Sequence, residues 1–174
     1  MRRSFQSKSG MSLLEVLIGM GVLAIISAGI LASLIQSRRL TEGSIYQNTA
    51  VAVAQGYIEQ LKNMEFDQLD LNPIPTLLDQ GSPDSLSVSP LPISTSTQVV
   101  NRRYIDLNNT PDNPNDDMPM DIVVYIKDLS NPTAKVGECK LITLIYTWEF
   151  ADSNGAKRRY TNTITSIRSR VPTF

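Results

Sequence analysis

Residues 11–35 read MSLLEVLIGMGVLAIISAGILASLI, an almost wholly apolar stretch. No charged residue lies between Val16 and Ile35. At a rise of about 1.5 Å per residue, a helix over that interval is about 30 Å long, which matches the hydrocarbon thickness of a bilayer. Because more apolar residues follow Leu31-Ala32-Ser33 directly, the pattern favours a membrane-spanning helix over a cleaved secretory signal.

A single carboxylate, that of Glu15, lies inside this apolar stretch. A charge in hydrocarbon costs about 2.5–3.5 kcal/mol even on lenient insertion scales. Glu15 must therefore lie at the membrane interface, be protonated, or meet a cation. Its position near the start of the span is consistent with interfacial depth, whereas a neighbouring subunit could equally supply the cation.

The segment before the helix is basic and ends in glycine. Residues 1–10 contain Arg2, Arg3 and Lys8 but no acidic residue. Together with the helix, residues 10–18 (GMSLLEVLI) resemble the class III signal of type IV prepilins, in which a basic leader ends in glycine and glutamate is the fifth residue after the cut. The resemblance implies cleavage between Gly10 and Met11 by a prepilin peptidase on the cytoplasmic side, and N-methylation of Met11.

The same resemblance implies a role for Glu15 in assembly. Cleavage would free an amine on Met11 and change the formal net charge from -1 to -4. In the family, the glutamate is thought to meet the new amino terminus of an adjacent subunit and set axial register. A misregistered subunit would leave two unpaired charges in a low-dielectric environment. A contact within the first helical turn of one chain remains an alternative.

Two positions depart from the family pattern. Met11 stands where the family most often has phenylalanine, and Ala32 stands where major pilins commonly have proline. Gly19, Gly21 and Gly29 are instead the predicted soft points of the helix. Glycine is also simply frequent in membrane helices, so these residues do not by themselves identify a function.

The helical pattern continues beyond the apolar stretch. Arg38 and Arg39 end the uncharged stretch, and a second set of regularly spaced apolar residues follows Gly43. Apolar residues then recur at three- and four-residue intervals, which predicts one buried helix face. They are Ala50, Val53, Ala54, Tyr57, Leu61 and Met64. We therefore predict a single helix over residues 12–66, half membrane anchor and half amphipathic spine.

The rest of the chain is predicted to form a proline-rich connection followed by four strands. Residues 72–92 are predicted to be a connecting loop because five prolines forbid regular helix. Strands are predicted at residues 98–107, 120–128, 140–152 and 157–169. In the third strand apolar residues alternate with polar ones, so one face should cover the helix. The apolar residues are Ile142, Leu144, Tyr146, Trp148 and Phe150.

These elements predict an α+β fold. The third and fourth strands should form an antiparallel hairpin closed by the turn at residues 152–155. By resemblance this is the type IV pilin fold, a long N-terminal helix packed on an antiparallel β-sheet. The predicted organisation is a leader at 1–10, a membrane and polymerisation segment at 11–36, an amphipathic helix at 37–66, and a periplasmic β-rich region at 67–174.

Composition restricts the possible chemistry. The 174-residue chain has no histidine, and Cys139 is its one cysteine. Cys/His zinc sites, Ser-His and Cys-His nucleophile pairs and an intrachain disulfide are thereby excluded. We predict no enzyme activity and no cofactor. Cys139 adjoins an apolar run, which favours a small buried side chain over a reactive thiol.

Two polar groups of residues are ambiguous. An oxygen-rich stretch between the first two predicted strands could bind calcium through Asp112, Asp116, Asp117 and Asp121, but its spacing matches no EF-hand and its prolines favour a solvated turn. Basic residues recur in the strands, where the wet face of a sheet is the preferred interpretation over a DNA-binding patch. They are Arg102, Arg103, Lys157, Arg158, Arg159, Arg168 and Arg170.

The preferred function is a minor pilin. Gln55, Glu59 and Leu61 loosely fit the helix of PilV-type minor pilins and of related minor pseudopilins. The resemblance implies prepilin peptidase, other pilins or pseudopilins and an inner-membrane assembly platform as partners, with no firm indication of nucleic acid. It also implies a single-pass inner-membrane location with the C-terminal region in the periplasm, and then a pilus. A minor pseudopilin of type II secretion and an anchored periplasmic protein of another class remain alternatives.

Overall fold

The computed structural model describes residues 11–79, 82–90, 98–110, 113, 117–131, 133, 137–151 and 156–170. The chain divides after Glu42 into two units. A helix, α1, covers Leu13–Asn63, and a short 3-10 helix covers Phe66–Asp70. The strands are β1 Ile74–Asp79, β2 Ser82–Leu86, β3 Asn101–Ile105, β4 Met118–Asp128, β5 Cys139–Ala151 and β6 Lys157–Ser169.

The single long helix predicted over residues 12–66 is confirmed. α1 contains 51 residues and runs without a break through Arg38, Arg39 and Gly43. Arg38 Nε donates to Glu42 Oε1 at 3.1 Å, a spacing of four residues that supports the exposed helix by a few tenths of a kcal/mol. Met64 N donates to the carbonyl oxygen of Gln60, one residue past the helix end.

The apolar face predicted for the second half of α1 is confirmed, and its residues are the helix's contribution to the hydrophobic core. Ala50, Ala54, Tyr57 and Leu61 are fully buried, and Val53 and Met64 pack against them partly buried. The helix packs on the sheet, and both contribute to one apolar cluster. Burying a large aliphatic or aromatic side chain stabilises a fold by about 1.5–3 kcal/mol, so this face alone accounts for much of the attachment of helix to sheet.

The main sheet is antiparallel with strand order β3-β4-β5-β6. On β5 the helix-facing residues Ile142, Leu144, Tyr146 and Trp148 are buried, whereas Phe150 is half-buried. Each lies opposite a β6 residue across an unbroken register from Cys139↔Ser169 to Ala151↔Lys157. The predicted β5–β6 hairpin and the α+β fold are confirmed. The predicted turn of the hairpin, at residues 152–155, lies outside the described residues.

The prediction that residues 72–92 form only a connecting loop is wrong. β1 and β2 lie in this interval and form a two-stranded antiparallel sheet that pairs Ile74 with Leu86. Both of these residues are fully buried in the core, which anchors the hairpin. In a two-stranded sheet each strand has an open edge, so a proline there need not remove a ladder hydrogen bond.

The prediction that Cys139 is buried is also wrong, because this residue is half-buried. It begins β5 and is out of phase with Ile142, so its side chain is on the face of the sheet away from the helix. The backbone N–H of Cys139 donates to Ser130 Oγ at 3.0 Å. The neighbouring Lys140, in phase with Ile142, is the buried side chain instead, with 4% exposure.

Candidate assembly site

The first part of α1 presents apolar side chains on every side. All residues from 11 to 41 are exposed. The best 18-residue window of α1 has a mean hydropathy of 2.4 and is not buried. Among the described residues, α1 is the one helix long and apolar enough to cross a membrane. A helix that is apolar all round is typical of a segment that is covered by lipid or by other helices.

Glu15 lies in the first turn of α1, within this apolar surface. The helix starts at the carbonyl of Ser12, which accepts from the N–H groups of Glu15 at 3.0 Å and Val16 at 3.2 Å. An acidic residue in the first turn is favourable towards the helix dipole, by about 0.3–1 kcal/mol at an exposed site. No cation of the described residues pairs with the Glu15 carboxylate. The carboxylate therefore lacks a compensating charge within the described part of the chain.

Of the two predicted processing residues, Met11 is the first residue that the structure describes. Gly10 lies outside the described residues, and Met11 precedes α1 with 77% exposure. Met11 precedes the first helical residue, Leu13, by two positions, and Glu15 lies in the first turn of the helix. An amine freed on Met11 would thus lie at the same end of the apolar surface as the Glu15 carboxylate.

Residues 6–31 match the prokaryotic N-terminal methylation motif. The match includes Gly10, Met11, Glu15 and most of the apolar stretch. It supports a prepilin-like protein that is anchored in the membrane by its N-terminal helix and processed by a prepilin peptidase. Comparison of the chain with curated proteins and with solved structures gives no match. The PilV-type subclass therefore stays a prediction.

The acidic residues considered as an alternative calcium site are only partly described. Asp112 and Asp116 lie outside the described residues, and Asp117 is half-buried. Asp121 accepts two hydrogen bonds from Arg102, at 2.7 Å and 3.1 Å. This bidentate contact raises the pKa of the Arg102 guanidinium, first through the hydrogen bond and then through the charge of Asp121. The contact links β3 to β4, and the described residues contain no group of three or more metal-ligating side chains.

Several basic residues of the sheet pair with carboxylates of the same chain. Arg159 contacts Glu149 at 3.1 Å. The side chains of Arg159 and Arg102 remain more than half exposed, as expected for the wet face of a sheet. Arg103 instead donates to the Tyr57 hydroxyl at 2.8 Å and so links β3 to the helix.

Sequence reasoning missed a cation cluster that holds the 3-10 helix against the sheet. Lys140 Nζ donates to Asp70 Oδ1 at 2.6 Å and to the Phe66 carbonyl at 3.1 Å, and lies 4.2 Å from the Phe66 ring centroid. Arg170 donates to Glu138 at 2.7 Å and to Asp67 at 2.8 Å. The phase of Lys140 with the apolar residues of β5 was the available signal, because a lysine at such a position needs an acidic partner.

Proposed function

We propose that this chain is a minor pilin of a type IV pilus. In this proposal a prepilin peptidase cuts between Gly10 and Met11, Met11 is N-methylated, and the first part of α1 inserts among the helices of neighbouring pilins. The observation that carries the proposal is the Glu15 carboxylate, which lies in an exposed apolar helix surface, inside the methylation motif, with no cationic partner among the described residues.

The physical basis is charge compensation in a poorly solvated place. A carboxylate and an amine that are both taken out of water cost several kcal/mol each unless they meet. Pairing Glu15 of one subunit with the Met11 amine of another satisfies both groups only when the subunits have one axial offset. The pair would then select register more than it adds stability. Before assembly the chain would reside in the inner membrane, with its C-terminal region in the periplasm.

The proposed organisation follows from this role. Residues 1–10 are the leader, 11–36 the membrane and polymerisation segment, 37–66 the amphipathic helix and 67–174 the periplasmic region. The inner-membrane assembly platform and other pilins are the proposed partners. All the large side chains that form the core belong to the part of the chain after Gly43, so the apolar segment is available for contacts outside the subunit.

Processing is tested by changing Gly10 to valine in the host. We expect a precursor that keeps its leader, and therefore a slower electrophoretic mobility and an intact mass larger by the ten leader residues. The matched control is Gly19→Val, which changes a glycine within the same matched motif but away from the cleavage site. If Gly10→Val protein has the same size and the same amino terminus as wild type, the processing proposal is wrong.

The role of Glu15 is tested by Glu15→Ala. We expect normal membrane insertion and leader removal but loss of incorporation into sheared fibres, measured by immunoblotting of membrane and fibre fractions. Glu59→Ala is the control, because Glu59 is an exposed acid of the same helix outside the motif. Wild-type incorporation of the Glu15→Ala protein would refute the register role.

The cellular system is tested by deleting the gene and restoring it in trans. We expect fewer or no surface pili, with type II secretion unaffected. Loss of secreted enzymes with normal piliation would instead assign the chain to a pseudopilus. The measurement of piliation and the measurement of secretion can both be made without knowing the partner pilins.

A further inference from the structure

β6 is an edge strand with an open side. It contains 13 residues and is last in the strand order, and within the described residues it pairs only with β5. In an antiparallel ladder every second residue of an edge strand directs its N–H and C=O away from the sheet. β6 therefore presents a row of unpaired backbone donors and acceptors along its outer side.

The first half of β6 is open on both faces as well. Every residue from 157 to 163 is exposed, whereas residues 164–169 alternate between half-buried and exposed. Tyr160 lies opposite Trp148 and stacks on it at 5.6 Å between ring centroids, yet Tyr160 remains 41% exposed. No part of the chain that the structure describes thus occludes an additional strand that approaches this half of β6.

The central part of β6 lacks the features that usually protect a sheet edge, because its charged residues are confined to the two ends of the strand. Residues 160–167 read YTNTITSI and contain no charge, proline or glycine. Threonine, isoleucine and tyrosine favour the extended conformation. Natural edge strands are commonly blocked by an inward charge, a proline or a bulge, but the β5–β6 register is regular over its whole length. The central part of β6 is therefore a regular, uncharged template for strand pairing.

Charge disfavours a second copy of this chain as the occupant. Basic residues begin and end the strand, with Lys157 and Arg158 at its start and Arg168 near its end. An antiparallel pair of two β6 strands centred on Thr163 would place Arg158 opposite Arg168, and like charges directly opposite each other destabilise a pair. The other edge, β3, carries two arginines of its own and is no better a partner.

We propose that the open edge of β6 binds a β-strand from a different polypeptide, one with an uncharged β-branched centre and carboxylates at its ends. Backbone hydrogen bonds along residues 160–167 supply the affinity, and contacts of the carboxylates with Lys157 at one end of the strand and Arg168 at the other supply the preference for this partner. The inference rests on the sheet alone and does not depend on the proposed role of Glu15.

The test uses the full-length chain in detergent micelles and a labelled peptide with alternating threonine and valine and two glutamates at each end. Fluorescence anisotropy should show saturable binding. A peptide with lysines in place of the glutamates should bind at least tenfold more weakly at low salt, and a peptide with prolines in place of the valines should bind at least tenfold more weakly at any salt. Lys157→Glu should reduce the preference for glutamate at least threefold.

The site is located by hydrogen exchange. Peptide binding should slow exchange of amides in residues 157–169 and leave β3 unchanged. Absence of binding at millimolar peptide, equal binding of all three peptides, or protection confined to β3 would each overturn the proposal. So would a disulfide-linked dimer of the Thr163→Cys variant in a Cys139→Ser background, because that result would identify a second copy as the occupant. Intrinsic fluorescence of Trp148 verifies that each variant is folded.

Discussion

At the residue scale, Lys140 shows how a charge is accommodated in the core. Its side chain is buried next to Ile142, but its amino group reaches the edge of the core where Asp70 and the Phe66 carbonyl accept hydrogen bonds. The Phe66 ring adds a cation–π contact. The cation therefore fixes the 3-10 helix to the start of β5. Its hydrogen bonds are directional and define the position of the 3-10 helix, which non-directional apolar packing would not do.

The first prediction concerns this ion pair. Asp70→Asn leaves the buried Lys140 cation without its carboxylate and should lower the free energy of unfolding by about 1 kcal/mol, since Asp70 itself is largely exposed and screened. Lys140→Met should have a smaller effect because it removes the buried charge altogether. Denaturation in detergent followed by Trp148 fluorescence measures both, with Glu59→Gln as the control. A larger loss in Lys140→Met would mean that packing of the lysine stem dominates.

The second prediction concerns Asp128. Hydrogen bonds from Ser130, and the nearby charge of Lys140, hold the pKa of Asp128 below its ordinary value of 3.8. A carboxyl group with a lowered pKa in the folded state stabilises that state above its unfolded pKa, and the contribution disappears as the pH falls through the folded pKa. Wild type should therefore be more stable than Asp128→Asn above about pH 5 and approach it in acid. A difference between the two proteins that persisted unchanged in strong acid would contradict this assignment.

At the element scale, sequence periodicity predicted the elements with a strong repeat. The 3.6-residue spacing of Ala50, Ala54 and Tyr57 identified the buried face of α1, and alternation identified β5. β1 and β2 were missed because their prolines indicated a loop, whereas the tertiary burial of Ile74 and Leu86 determines their conformation. No local signal in the sequence records which distant residue will cover a side chain.

The candidate site was predictable to a similar extent. Glu15 could be identified because a lone carboxylate in an apolar run conflicts with its surroundings. The group that compensates this charge could not be identified from the sequence, because no cation among the described residues pairs with Glu15. The pairing of Asp121 with Arg102 was likewise hidden, since it depends on the register of β3 against β4 rather than on spacing along the sequence.

The third prediction concerns Gly43, which lies within the continuous helix α1. Gly43→Ala should stabilise the protein by about 0.5–1 kcal/mol, because glycine is unfavourable inside a helix. A Cβ at this position would lie 3.4 Å from Phe150 Cε1, an ordinary van der Waals distance. Thermal unfolding measured by circular dichroism shows whether Gly43→Ala raises or lowers the stability of the protein. Gly43→Pro is the contrasting variant and should destabilise the helix by about 3 kcal/mol.

At the scale of the whole molecule, the buried residues define which part of the chain folds by itself. Every residue of the described core, from Ala50 to Trp148, belongs to the unit that begins at Gly43. The preceding part of the described chain contributes exposed apolar side chains and no core residue. Folding of the second unit should therefore not require the membrane segment.

The fourth prediction is that a fragment comprising residues 43–174 folds in water without detergent. We expect cooperative unfolding with a free energy within about 1 kcal/mol of that of the full chain, because no buried contact is removed. Trp148 emission should be that of a buried indole, since its side chain is 5% exposed and stacks on Tyr146 and Tyr160. A fragment that is molten or aggregated would show that the first unit contributes to the core.

The unbroken course of α1 also determines how the chain would respond to tension. Backbone hydrogen bonds along a helix act in series, so the turns with the weakest helix formers extend first. In the apolar part of α1 these are the turns around Gly19, Gly21 and Gly29, three of the five glycines of the helix. If residues 19–29 passed from helix to extended chain, that interval would lengthen from about 16 Å to about 36 Å while the other turns kept their length. The helix would then act as an extensible tether, and lengthening of this interval would limit the rise of the force on the sheet during a sudden pull.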